Sequence, residues 1–238
     1  MKTSISTIMT TISDNVQATQ ARLNQACFAA RRPLGTVALL AVSKRKTAEV
    51  VRQAHTAGLC AFGENYVQEG LDKIAALIDL RPVLQWHLIG PLQSNKTRAV
   101  AEAFDWVHSV DRLKTAQRLS EQRPDHLPPL NVCLQVNISG EDSKSGVAPA
   151  DVPALARAVA ALPRLRLRGL MSIPAPADTL DAQCAPHRAL RQLLDQLNAE
   201  GLALDTLSMG MSADLEAAVL EGATMVRIGT ALFGARGD

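Results

Sequence analysis

The residue in this sequence best placed to do covalent chemistry is a lysine at the end of a strand-like run. Leu39-Leu-Ala-Val-Ser-Lys44 is apolar until it reaches the lysine. After Lys46 the period changes, and Val50, Val51, Ala54 and Ala57 fall on one helical face closed by Gly58. Lys44 therefore stands where a strand yields to a helix, the end at which α/β proteins bind ligands. An amine there is either a solvated loop charge or a group that condenses with a carbonyl.

The residues that follow the later apolar runs are also polar: Glu64 and Asn65, His87, His108 and Ser109, Asn137, Ser172, Ser208 and Ser212, Gly229 and Thr230. Singly, each has an ordinary structural role, such as a helix start, a satisfied core histidine or an Asx turn. Two loops say more. Ser208-Met-Gly-Met-Ser212 and Ile228-Gly-Thr230 offer small residues, hydroxyls and helix starts, the parts of a phosphate cup. Arg227 lies inside the last apolar run, where a buried guanidinium needs either a neighbouring carboxylate or a ligand acceptor. Amine, phosphate cup and inward arginine match the aldehyde, phosphate and ring nitrogen of pyridoxal 5′-phosphate. The first two alone would equally serve a Schiff-base aldolase acting on a sugar phosphate.

The elements that must position these groups repeat one unit. A helix over about Ile8 to Arg31, with Ile12, Val16, Thr19, Leu23 and Ala26 as its stripe, precedes the Lys44 strand. Further strands are expected at Cys60–Gly63, Leu84–Gly90, Trp106–Ser109, Asn131–Val136, Leu165–Met171, Leu204–Leu207 and Met225–Ile228. Helices follow them, one with Val67, Leu71, Ile74 and Ile78 inward, one capped by Asp111, one starting near Asp151-Val-Pro153 and one from Ser212 to Leu220. Eight strand–helix alternations predict a single (β/α)8 TIM-type barrel with an additional N-terminal helix. The expected organisation is one domain over 1–238, with residues 1–32 as a helix packing on the barrel. A doubly wound nucleotide fold would show a Gly-rich fingerprint after its first strand, and none is present.

Composition narrows the functional classes. The 25 basic and 23 acidic residues nearly cancel, so no field gathers a polyanion. Arg164-Leu-Arg-Leu-Arg168 reads as the start of a half-exposed strand rather than a nucleic-acid patch. The aromatic share of 3% leaves the core to Ala, Leu and Val. Cys27, Cys60, Cys133 and Cys184 lack metal-ligand spacing, Cys133 reads as a buried hydrophobe, and a reducing cytoplasm is the expected compartment. Met1 to Asn15 lacks the apolar core of a signal peptide, and no run approaches the roughly 20 apolar residues of a membrane span.

Long ungapped motifs carry a family resemblance. Leu39–Lys44, Phe62-Gly-Glu-Asn-Tyr-Val-Gln-Glu69, Trp86-His-Leu-Ile-Gly-Pro-Leu-Gln-Ser-Asn-Lys96, Ser208–Ser212 and Val226-Arg-Ile-Gly-Thr-Ala-Leu-Phe-Gly-Ala-Arg236 resemble the pyridoxal phosphate homeostasis proteins. The likeness runs from the first strand to the C-terminus and departs from the family mainly at Arg45-Lys-Thr47. It implies a monomeric barrel similar to the N-terminal domain of alanine racemase. It implies that Lys44 forms the Schiff base, that Arg227 faces the pyridine nitrogen, and that Ser208, Gly229 and Thr230 hold the phosphate. Asn65, His87, Met171 and Ser172 would line the pocket, and Lys144 matches a family lysine of a mobile loop.

The resemblance further implies a protein that carries or buffers the cofactor for vitamin B6 and amino-acid homeostasis, without known turnover. Apo forms of cofactor-dependent enzymes would be its recipients; neither nucleic acid nor membrane is expected as a partner. The chemistry agrees, because a charged arginine discourages protonation of the ring nitrogen and so weakens the electron sink. A two-base racemase also needs a second base, and Tyr66 is the chain's one tyrosine. A small racemase-like enzyme is the alternative. No catalytic or metal-ligating residue is assigned.

Overall fold

The computed structural model describes residues 3–141 and 145–234. Eight parallel strands close into a barrel in sequence order: β1 (Ala38–Val42), β2 (Ala61–Glu64), β3 (Gln85–Leu88), β4 (Trp106–Val110), β5 (Leu130–Gln135), β6 (Leu165–Met171), β7 (Thr206–Ser208) and β8 (Met225–Ile228). Closure is the pairing of β1 with β8, in register from Ala38↔Met225 to Ala41↔Ile228. Most strands are covered on both faces and read as near-continuous apolar runs, whereas the first half of β6 alternates, with Arg166 exposed between buried Leu165 and Leu167. Inside the barrel, Trp106, Cys133 and Met171 form one cluster and Leu40, Ile89 and Met225 another. Cys133 is a fully buried hydrophobe, as its run implied.

Helices α2 (Ala48–Thr56), α3 (Val67–Ala76), α4 (Thr97–Ala103), α5 (Leu113–Gln122), α6 (Val152–Ala160), α7 (Leu180–Ala199) and α8 (Leu215–Leu220) form the outer ring, with a short α9 (Thr230–Phe233) after β8. The long α1 (Thr3–Ala29) buries Ile12, Val16, Thr19, Leu23 and Ala26, the stripe its period predicts, and packs on α2, α8 and α9. Its polar groups tie it to the chain's far end. Asn15 Nδ2 donates to Leu232 O at 3.1 Å, and Arg22 donates to both oxygens of Glu216 at 2.7 and 2.6 Å. No helix among the described residues is long and apolar enough to cross a membrane.

Several expectations shift locally. Strand β7 starts at Thr206 rather than Leu204, because Asn198 engages both backbone groups of Leu204, at 2.7 and 2.9 Å, and holds it in the helix exit. Helix α8 starts at Leu215 rather than Ser212, since the Asp214 carboxylate accepts Met211 N–H at 2.7 Å and folds those residues into a turn. Asp111 does not cap α5; Arg112 occupies that position, and Asp111 pairs with its side chain at 3.1 Å. Ile78, expected inward, is 67% exposed because α3 ends at Ala76 and the chain continues as a 3-10 turn.

Candidate functional site

The carboxyl ends of the strands share one mouth. Lys44 follows β1 in an exposed turn, and no hydrogen-bond partner for its amine occurs among the described residues. Asn65 follows β2, its Oδ1 buried and unpartnered. Its carbonyl lies so close to Gly90 that a Cβ there would sit 2.0 Å from it, which fixes glycine at that position. An open cleft of about 290 Å³ at the ends of β2, β3, β5 and β6 is lined by Asn65, Ile89, Pro91, Gln135 and Ile173, among others.

Beneath the mouth runs a buried polar chain contributed by four strands. Arg227 of β8 donates through Nη1 to Ser208 O at 2.6 Å and Ser208 Oγ at 2.8 Å, and through Nη2 to Ser172 O at 2.8 Å. Among the described residues no carboxylate bonds it directly; two backbone carbonyls and one hydroxyl do. Burial draws the guanidinium down to about 10, which leaves it charged at neutral pH. Ser208 Oγ lies 2.9 Å from His108 Nδ1, and His108 Nε2 lies 3.0 Å from His87 Nδ1. Arginine can only donate, so Ser208 accepts from it and has its own proton for His108. If Ser208 gives that proton to His108, Nε2 carries the proton in both rings, the outermost on His87, whose Nε2 has no partner among the described residues. Burial pulls His87 to about 3 and His108 well below its ordinary value, helped for His108 by His87 and Arg227, so both rings are neutral. His87 stacks on Trp106 at 5.2 Å, and Arg168 covers Trp106 with its guanidinium carbon 4.7 Å from the ring centroid.

The loop after β8 adjoins the end of β1, and the loop after β7 adjoins β8. Gly210, at φ 90°, lets the first loop pack where a Cβ would meet Ala218 Cβ at 2.4 Å. Asp214 anchors that loop and also meets His187 Nε2 at 2.9 Å. Burial pushes the Asp214 carboxyl up, but the bonds from His187 and Met211 N–H, with Arg227 nearby, hold it low. Gly229 passes close to β1, a Cβ there lying 3.3 Å from Val42 O. The first two amides of α9, those of exposed Thr230 and Ala231, have no partner within the helix, whereas Leu232 and Phe233 N–H both bond Gly229 O at 3.0 Å.

The structure thus joins Arg227, Ser208 and Ser172 directly and His87 through His108. Lys44, Gly229 and Thr230 lie at the ends of the adjacent strands β1 and β8. Met171 faces the interior with Trp106 and Cys133, and Asn65 lies toward the cleft. Lys144 is outside the described residues. Sequence reasoning gave His108 no role beyond membership of the polar set, although its period-two spacing from Trp106 marks the same face of β4. It gave none to Lys73, whose spacing of four from Glu69 was the available signal.

Comparison with known proteins agrees with this architecture. The chain belongs to the family described as the alanine racemase N-terminal domain, whose model matches residues 13–237. Within that class it groups with the pyridoxal phosphate homeostasis proteins: that of Pseudomonas aeruginosa is 66% identical over 228 residues, 96% of this chain and 97% of the relative. The Escherichia coli protein of the same name is 52% identical over 229 residues, covering 96% and 98%. PipY of Synechococcus elongatus, solved with pyridoxal phosphate bound, superposes with a TM-score of 0.80 at 38% identity, covering 94% of this chain and all of that one (100%). Alanine racemase of Corynebacterium glutamicum shares the fold, with a TM-score of 0.70 at 19% identity, over 97% of this chain and 62% of that chain.

Proposed function

We propose that this protein binds pyridoxal 5′-phosphate reversibly through Lys44 and serves as a carrier or buffer of the cofactor rather than as an enzyme. The observation that carries the reading is the mouth itself. An unpartnered amine ends β1, and the adjacent strand β8 brings a buried guanidinium and a tight Gly229-Thr230 turn. The donors fit the group. Arg227 keeps Nε–H and one Nη2–H free of protein partners, enough for a ring-nitrogen acceptor. The free amides of Thr230 and Ala231 and the Gly229 turn suit a phosphate, with Ser208 below them bonded to Arg227. Asn65, His87, Met171 and Ser172 complete the pocket, and Ser172 Oγ is buried without a partner.

Bound there, the cofactor supplies an aldehyde. The Lys44 amine would condense with that aldehyde, C=N replacing C=O as water leaves, and water would reverse the step. Arg227, charged and able only to donate, favours an unprotonated ring nitrogen. Tyr66 is exposed at the start of α3, away from the buried chain, and supplies no second base in this reading. The protein works as a cytoplasmic monomer, and apo forms of cofactor-dependent enzymes receive what it carries.

The test is the visible spectrum on adding pyridoxal 5′-phosphate, followed by borohydride and peptide mapping. A new band trapped on Lys44 is expected, and Lys44→Ala should lose the trapped product while keeping weaker, non-covalent binding. A protein that stays colourless, or a product trapped elsewhere, would sink the proposal. Amino-acid turnover that vanishes in Lys44→Ala would favour the racemase-like alternative.

A further inference from the structure

The turn that presents Lys44 is held by groups the cofactor reading does not use. Lys46 N–H closes it on Ser43 O at 3.0 Å. Arg45 sits inside at φ 59°, a left-handed conformation that turns usually assign to glycine. A non-glycine residue there costs on the order of 1–2 kcal/mol and persists only where its surroundings fix it. Those surroundings come from α3. Glu69 accepts the Arg45 N–H, and buried Lys73 donates to Ser43 O at 2.6 Å. Lys73 also bonds Glu64 at 2.8 Å and Glu69 at 2.7 Å, while Ser43 Oγ donates to Glu64 at 2.6 Å. The backbone one residue before Lys44 and one residue after it is thus tied to the same group of charges. On the other flank, Lys46 Nζ donates to Phe233 O of α9 at 3.0 Å, beside the Gly229-Thr230 turn.

Stability is a poor explanation for such a group, because desolvating three charges offsets most of their mutual attraction. Geometry is a better one. We infer that Glu64, Glu69 and Lys73 are positioning residues, a clamp that fixes the Lys44 turn and so aims the amine at a carbonyl held by the β8 loop. The inference rests on the reading of Lys44 as the capturing amine. None of the three touches the ligand; they act through the backbone on either side of Lys44.

Two ligands separate aim from affinity. Pyridoxine 5′-phosphate has the ring and phosphate but no aldehyde, so it reports the cup alone. Pyridoxal 5′-phosphate with borohydride trapping reports Lys44. Glu69→Leu should slow trapping by about tenfold, a loss typical of a small misplacement, and leave pyridoxine 5′-phosphate affinity within about twofold. Glu69→Gln keeps an acceptor for Arg45 N–H and Lys73 and should restore the rate. Trapping at the unmodified rate in Glu69→Leu, or equal losses for both ligands, would overturn the clamp. Hydrogen exchange gives a second readout on the unmodified protein: the Arg45 amide should be protected, and exchange at the free-peptide rate would also overturn it. Failure of the underlying reading looks different, since then the unmodified protein itself would not be trapped on Lys44.

Discussion

Arg227 shows how a buried charge is kept without a directly bonded counter-charge, Asp214 acting only through the field. Three neutral acceptors from Ser208 and Ser172 take its protons, and bonds to a charged donor are worth about 1.5–3 kcal/mol each. Arg227→Met would leave two buried carbonyls without these donors, and a loss of about 2–4 kcal/mol is expected by urea denaturation. The histidines set a pH dependence. Their folded pKa values lie below the ordinary 6.5, so the unfolded chain binds more protons on acidification. Their contribution is complete above 6.5 and is lost as pH falls toward about 3 for His87. Each neutral ring adds a slope of about 1.4 kcal/mol per pH unit in that window. His87→Gln should flatten the stability profile between about pH 5 and 6.5; an unchanged slope would mean that His87 is protonated in the folded protein. At this scale the sequence marked Arg227 as a charge inside an apolar run but could not name its acceptors, since carbonyls belong to every residue. Lys73 stayed hidden because a Glu–Lys pair four apart looks like a solvated helix face until the helix is placed.

Helix α3 turns local packing into site geometry. Gly70 lies one turn below Tyr66, and a Cβ there would stand 2.5 Å from Phe104 Cζ. Phe104 is fully buried and its ring cannot swing clear. Gly70→Ala therefore gains about 1 kcal/mol of helix propensity and loses about 1–3 kcal/mol to overpacking. A lowered melting temperature is expected, together with slower trapping of pyridoxal 5′-phosphate, because Glu69 and Lys73 move with the helix. A variant that melts higher would show that α3 can shift freely. Helix periods were legible: α1 buries the stripe its spacing implies. Starts were less so, because Asp111 and Ser212 satisfy cap preferences that local bonds at Arg112 and Asp214 override. Strand β7, with three residues, was displaced for the same reason, Asn198 having claimed Leu204.

For the whole molecule, barrel closure was readable as a count of eight units, whereas register was not. Pairing depends on which residues of β1 face β8, and continuous apolar runs carry no alternation to fix it. Helix α1 lies over this seam, joined to α8 and α9 by Leu23 and its neighbours and by Arg22 and Asn15. Leu23→Ala, at a side chain 1% exposed, should cost about 2–5 kcal/mol. The loss should appear as one shifted transition by both near- and far-ultraviolet circular dichroism, and separate transitions would show that α1 melts off an intact barrel.

The seam also orders events during synthesis. Lys44 leaves the ribosome some 180 residues before Arg227, Gly229 and Thr230, a lag on the order of 10–40 s at bacterial elongation rates. Until β8 docks on β1, the nascent chain has the amine but neither the guanidinium nor the cup. Its aldehyde chemistry would then be that of any free lysine. In the proposed reading, selective capture of the cofactor would therefore arrive with β8.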